Sequence, residues 1–223
     1  MLYIIATPIG NLEDITLRAV RILSEVDFVV AEDTRKSGLL LQHLEINKPL
    51  KSFHSYSSEA KVKSLVEELA GGKSAALISD AGTPGISDPG FQLIRLALQE
   101  GIEVYPIPGV SAVITALSVS GAPTDKFTYI GFLPVKKGRQ TLLESLKDET
   151  KTLVLYESVH RISKTLENLY TALGDRYVCV GREMTKKFEE YYRGHLSEAV
   201  KHFSSKQKGE FTIVVAPEGF ELN

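Results

Sequence analysis

The first hundred residues of the chain alternate short apolar runs with segments of helical period, and that alternation limits the fold more than any other feature. Strands are expected at 2–6, 27–31, 50–54, 75–79 and 104–107. Between the first two, Leu17, Val20 and Leu23 share one face of a helix over 16–25; between the third and fourth, Val62, Leu65, Val66 and Leu69 do the same over 58–70. Asp14 or Thr16 is placed to cap the first helix, and Gly71-Gly72 to end the second. Strands that return through helices build a parallel α/β sheet. The opening run, residues 2–6, is too short for a membrane span and lacks a basic leader, so it is expected to be the first buried strand of a cytoplasmic protein.

The pattern changes around residues 118–126, where Gly121, Ala122 and Pro123 interrupt it, and a domain boundary is expected at 119/120, giving domains 1–119 and 120–223. The second half carries expected strands at 127–131, 152–156, 177–180, 189–192 and 211–216, with helices at 139–146, 161–173 and 196–203. Too few helices separate the last three strands for an all-parallel arrangement, so the second sheet should be mixed. The single cysteine, Cys179, excludes an internal disulfide, and its flanking valines make it a core thiol.

Ligands of open α/β sheets collect where strands end. Three Gly/Pro-rich loops occupy such ends: Thr7-Pro8-Ile9-Gly10-Asn11, the stretch from Ser79 through Asp80-Ala81-Gly82-Thr83-Pro84 to Gly90, and Pro108-Gly109-Val110-Ser111-Ala112. Glycine lets backbone approach a ligand closely, and proline fixes a loop in advance. None of the three is a GxxxxGK[ST] or GxGxxG phosphate loop, which disfavours ATP, GTP and NAD and leaves a ligand of base, sugar and amino acid. Asp80 is placed to accept hydrogen bonds from it. No His/Cys/Asp spacing points to zinc, and no Gly-x-Ser-x-Gly to a serine hydrolase. Further polar clusters follow other strands: Glu32-Asp33-Thr34-Arg35, His54, residues 156–161, and Arg182-Glu183-Met184-Thr185-Lys186.

Those loops resemble the tetrapyrrole methylase superfamily. Ala6-Thr7-Pro8-Ile9-Gly10-Asn11-Leu12 with Asp14-Ile15-Thr16 is similar to its opening, and Ser79–Pro84 and Pro108–Ala112 are similar to its two further cofactor loops. Ala31-Glu32-Asp33-Thr34-Arg35, residues 156–161 and Gly181–Lys186 resemble one branch, the ribosomal RNA small subunit methyltransferase I family. One stretch departs from the pattern: 53–59 lacks an asparagine before Glu59. The resemblance spans the chain. It implies an N-terminal α/β domain and a C-terminal mixed domain with S-adenosyl-L-methionine (AdoMet) in the cleft between them, a homodimer, and methyl transfer to the ribose 2′-oxygen of a cytidine in the decoding region of small-subunit rRNA. By similarity the cofactor is lined by Pro8, Ile9, Gly10, Asp80, Ala81, Gly82, Thr83, Pro108, Gly109, Ser111 and Ala112, with Tyr156, Glu183, Glu210 and Phe211 from the second domain.

A ribose hydroxyl must lose its proton to accept a methyl group. Candidate bases are Glu32, Asp33 and His54, and candidate stabilisers of the developing oxyanion are Arg35, Arg182 and Lys186. Within the superfamily, a corrin-precursor methylase and a diphthine synthase are the rivals, and a non-catalytic AdoMet-binding module is the rival of another class. The net charge of −2 gives no bulk attraction to nucleic acid, so RNA would be held by local groups. The candidates are Lys136-Lys137-Gly138-Arg139, Arg161 with Lys164, Lys186-Lys187, and Lys206 with Lys208.

Overall fold

A computed structural model describes residues 1–54, 57–205 and 208–222. The chain divides into two compact units, Met1–Ser111 and Ala112–Asn223.

In the first unit five strands, β1 (Leu2–Ile5), β2 (Phe28–Ala31), β3 (Leu50–Ser52), β4 (Ala75–Ile78) and β5 (Val104–Ile107), form a sheet in the order β3-β2-β4-β1-β5. Every pairing in it is parallel. All four residues of β2 and of β4 are buried, which requires cover on both faces and explains why these strands read as unbroken apolar runs. One face, with Leu2, Ile4, Phe28 and Val30, packs on α3 (Glu59–Ala70) and α4 (Gly90–Gln99) through Leu65, Leu69, Leu93 and Ala97. The other, with Ile5, Val29, Ala31 and Ile78, packs on α1 (Leu17–Glu25) and α2 (Thr34–His43) through Ala19, Leu23 and Leu41. Thr16, not Asp14, caps α1 by accepting the Ala19 N–H at 3.1 Å; Asp14 closes a short 3-10 turn, Leu12–Asp14. β3 stops at Ser52, so Phe53 and His54 lie beyond it, and Phe53 is buried in the core. Helices α2 and α4 were not expected from the sequence.

The second unit begins with a third unexpected helix, α5 (Ala112–Ser120), followed by β6 (Phe127–Phe132), α6 (Arg139–Ser145), β7 (Thr152–Ser158), α7 (Ile162–Leu173), β8 (Tyr177–Arg182), β9 (Glu190–His195), α8 (Leu196–His202) and β10 (Glu210–Val215). Its sheet runs β6-β7-β10-β8-β9, with β6 and β7 parallel and the other pairs antiparallel, so it is mixed as expected. Leu143, Leu166, Leu169, Ala199 and Phe203 of α6, α7, α8 and the turn after it cover one face. α5 contacts β7, β8 and β10 and buries Val113, Ala116 and Leu117. That packing moves the division of the chain to 111/112, ahead of the Gly121–Pro123 break where 119/120 was expected. Cys179 is fully buried in β8, where burial raises its thiol pKa and leaves it inert.

Candidate active site

The strand order places β1 between β4 and β5, so the three Gly/Pro-rich loops leave neighbouring strands at one edge of the first sheet. They are joined to one another. Thr7 and Gly82 exchange backbone hydrogen bonds, both of 2.9 Å, and the Thr7 hydroxyl donates to the Ser79 carbonyl at 3.2 Å. Thr83 donates through Oγ1 to the Val110 carbonyl at 3.0 Å. Gly82 has φ +77°, a conformation that favours glycine. At Gly109 a Cβ would lie 2.9 Å from the Cβ of Ala6, so this glycine permits loop to approach strand, rather than loop to approach ligand as the sequence suggested. Asp88 accepts from Gly85 N–H (2.9 Å) and Gly90 N–H (2.7 Å), which folds the turn into α4.

Pro8 and Ile9 remain half exposed, and Gly10, Asp80, Ala81, Pro108 and Gly109 are exposed. Ser111 and Ala112 are half buried. Apolar side chains and backbone make up most of this rim, and Asp80 is its exposed carboxylate. Asp80 Oδ1 accepts the Asp33 N–H at 3.2 Å and Oδ2 the Lys36 ammonium at 2.7 Å. Each oxygen keeps a second lone pair for a ligand hydroxyl.

The neighbouring strand β2 delivers the candidate bases, and the structure separates them. Asp33 caps α2, accepting the Arg35 N–H at 2.9 Å, and its carboxylate is gripped by the Arg35 guanidinium at 2.9 Å. The Arg35 side-chain and backbone hydrogen bonds pull Asp33 down to about 2, too weak a base to take a proton at neutral pH. The Arg35 guanidinium, bonded to Asp33 through Nε and Nη2, is otherwise exposed. Glu32 has no hydrogen-bond or ion-pair partner among the described residues, and it borders a small crevice with Phe53, Ser79, Asp88, Pro89 and Gly90. Partial desolvation raises its pKa first of all, the Asp80 and Asp88 carboxylates add to that, and Lys36 and His54 oppose it. His54 is exposed, with its backbone N–H on Ser57 Oγ. Ser55 and Tyr56, in the stretch that departs from the family pattern, lie outside the described residues.

In the second unit, cations proposed as stabilisers are tied down. Lys186 Nζ sits between Glu183 Oε1 (2.9 Å) and Glu210 Oε2 (2.8 Å); burial opposes its charge, but the bonds and charges of the two carboxylates raise its pKa overall. Glu183 and Glu210 also bond through their backbones at 2.9 Å. Glu183 and Thr185 adopt φ of +48° and +67°, an unusual pair of left-handed non-glycine residues in one loop. Arg182 donates to Glu190 Oε2 (2.9 Å) and the Lys208 carbonyl (2.7 Å). Tyr156 is half buried beside Tyr129 and Phe132, and desolvation raises its pKa. The Phe211 side chain lies in the core against Phe203, which leaves its backbone as the part open to a ligand.

The polar cluster at residues 156–161 turns out to hold part of a buried network beneath β6 and β7. Glu157, whose side chain has 0% exposure, accepts from Arg161 Nε (2.8 Å) and from Thr165 Oγ1 (2.6 Å). Arg139 in turn donates to Thr165 Oγ1 (2.8 Å) and Asn168 Oδ1 (3.1 Å). The four-residue spacing of Glu157 and Arg161 was the one available signal. Among the described residues no group of His, Cys, Asp and Glu is placed to hold a metal ion.

The family model of the tetrapyrrole (corrin/porphyrin) methylases matches residues 1–200. The chain belongs to that family. Among relatives of this tetrapyrrole methylase, the ribosomal RNA small subunit methyltransferase I of Halalkalibacterium halodurans is 49% identical, over 98% of this chain and 76% of the relative. The proteins of the same name from Thermotoga maritima and Escherichia coli O157:H7 are each 48% identical, over 96% of this chain and 97% and 77% of theirs. Solved structures share the fold at lower identity. A diphthine synthase superposes with TM-score 0.75 at 16% identity, covering 96% of this chain and 89% of its own. A uroporphyrin-III C-methyltransferase from Thermus thermophilus, complexed with S-adenyl homocysteine, superposes with TM-score 0.69 at 17% identity, covering 96% of each.

Proposed function

We propose that this tetrapyrrole methylase is an AdoMet-dependent methyltransferase of small-subunit ribosomal RNA, acting on the ribose 2′-oxygen of a cytidine in the decoding region. The observation that carries this reading is identity of 48–49% to rRNA small subunit methyltransferases I over nearly the whole chain, against 16–20% for corrin, porphyrin and diphthine enzymes of the same fold.

AdoMet, when bound, supplies an electrophilic methyl group on a sulfonium sulfur. The loops after β1, β4 and β5 hold it, with Pro8, Ile9, Ala81 and Pro108 as apolar wall and Asp80 as acceptor. Glu32 takes the proton from the ribose hydroxyl: unlike Asp33, its carboxylate has no ion-pair partner among the described residues, and partial burial raises its pKa towards the pH at which it works. Asp33 and Arg35 shape the start of α2. Arg182 and Lys186 act through the loops they brace.

The chain's net charge of −2 offers little general attraction to a flexible RNA, so the ordered surface of an assembled small subunit is the favoured substrate. No helix among the described residues is long and apolar enough to cross a membrane, and the proposed setting is a cytoplasmic homodimer. Incubating the protein with labelled AdoMet and small subunits, then mapping the label, tests the assignment; label on a base, or on no RNA, rejects it. Asp80→Ala should weaken AdoMet binding by calorimetry. Equal initial rates on naked rRNA and assembled subunits at matched salt would reject the preference for the particle.

A further inference from the structure

Four loops of the second unit emerge on one edge of its sheet. The register sets Phe132 beside Tyr156, Ser158 beside Glu210, Phe211 beside Arg182, and Arg182 beside Glu190. Residues 133–138, 159–161 and 183–189, with Lys208 and Gly209 before β10, therefore line up along the carboxyl ends of β6, β7 and β8.

Two kinds of side chain alternate on that edge. Arg139, Arg161, Arg182 and Lys186 spend their hydrogen bonds on the protein. Arg161 Nη1 and Arg139 Nη1 hold the Leu133 and Pro134 carbonyls at 2.9 and 3.2 Å, which anchors the base of the first loop. Lys186 and Arg182 brace the third loop and the turn before β10. Lys136, Lys137, Lys187 and Lys208 are exposed and meet no carboxylate among the described residues. Lys206, also expected to bind RNA, lies outside those residues. On the loop after β8 stands Phe188, 67% exposed, with the Lys187 ammonium 5.7 Å from its ring centre. An exposed aromatic ring on a braced loop, on an edge that also carries exposed lysines, has the chemistry of a stacking platform for an unpaired base of a strand whose phosphates run along that edge.

We infer that this edge is where the protein docks an unpaired segment of its RNA, with Phe188 stacking on one base and Lys136, Lys137, Lys187 and Lys208 meeting phosphates along the same strand. The inference rests on rRNA being the substrate. The arginines fix the loops in place, and the lysines and Phe188 make the contacts, so the cations nearest the buried network are not the ones that bind RNA.

The test measures binding of fluorescent single-stranded small-subunit rRNA fragments as a function of salt, together with initial methylation rates on small subunits. Phe188→Ala should weaken RNA binding roughly tenfold, and Phe188→Trp should restore it. Charge reversal of Lys136 and Lys137 together should reduce the slope of log affinity against log salt by about two. Both should raise KM for small subunits, leave AdoMet affinity and the thermal midpoint unchanged, and exceed the effect of Lys147→Glu at the opposite edge. Wild-type binding by Phe188→Ala and by the double reversal, in a protein that methylates rRNA, overturns the docking edge alone. So does an equal loss from Lys147→Glu, or a loss that tracks a change in oligomeric state. A wild-type protein that methylates no rRNA overturns the underlying reading instead.

Discussion

The two sheets end in loop edges built by opposite means. At the first, short side chains and backbone join loop to loop: Thr7 to Gly82, Thr83 to Val110, Gly109 against Ala6. One long cation, Lys36, reaches these loops, and it does so at Asp80, the exposed charge among them. At the second, long arginines and a lysine reach between elements to carboxylates and carbonyls, and the charges left over are lysines. The first edge suits a small ligand that needs close, dry backbone. The second suits a polyanion that needs cations at a fixed spacing. A methyltransferase acting on RNA needs both, and the division of labour follows from which residues can be packed tightly and which can only be reached across.

The largest effect should come from breaking the chemistry of the first edge. Glu32→Gln should lower turnover about 10²- to 10⁴-fold with AdoMet affinity unchanged. The same change should leave stability equal or higher at pH 7. A carboxyl whose pKa is raised by folding favours the folded state below its unfolded pKa and loses that contribution as pH rises through the folded value, and the neutral amide avoids the loss. A stability loss that matches the activity loss would make Glu32 structural. Next in size is Glu157→Ala, which strands Arg161 and should cost about 3–5 kcal/mol, read as hydrogen-exchange protection lost from the second unit before the first. If protection falls equally in both, the units are not separate in stability. Thr16→Ala, which removes the α1 cap, should cost about 1 kcal/mol by urea titration, and should act on the first unit. The smallest effect sharpens the Glu32 assignment. Lys36 lowers the Glu32 pKa, so Lys36→Met should move the acid limb of the turnover profile to higher pH; an unmoved limb would assign it to another group.

The strands β1, β2 and β4 were legible because their burial is written into composition as apolar runs between turn residues, whereas β5, with Tyr105 and Pro106 exposed, shows only as a short run before Pro108-Gly109. The helices that went unread fail the periodicity test for separate reasons. α5 is apolar on nearly every side, from Val113 to Val119, so it has no polar face to mark a period. α4 opens on Gly90 after Pro89, residues that signal a turn. α2 starts within Asp33-Thr34-Arg35-Lys36, a charge cluster that reads as chemistry and is mostly a helix cap. For the same reason the sequence could nominate six catalytic candidates without ranking them. Choosing Glu32 over Asp33 depends on which carboxylate the Arg35 guanidinium folds back upon, and no spacing encodes that.

The placement of β10 bears on how the chain is made. It is the middle strand of the second sheet, yet the last of that sheet's strands in sequence, so during synthesis β6-β7 and β8-β9 wait as two half-sheets with unpaired edges. The first sheet has the reverse problem: β1 is synthesised first but gains its neighbours only when β4 and then β5 appear. Nascent chains halted short of Glu210 should therefore already hold a protease-resistant first unit, and should depend on chaperones to keep the open edges of the second from pairing with another chain.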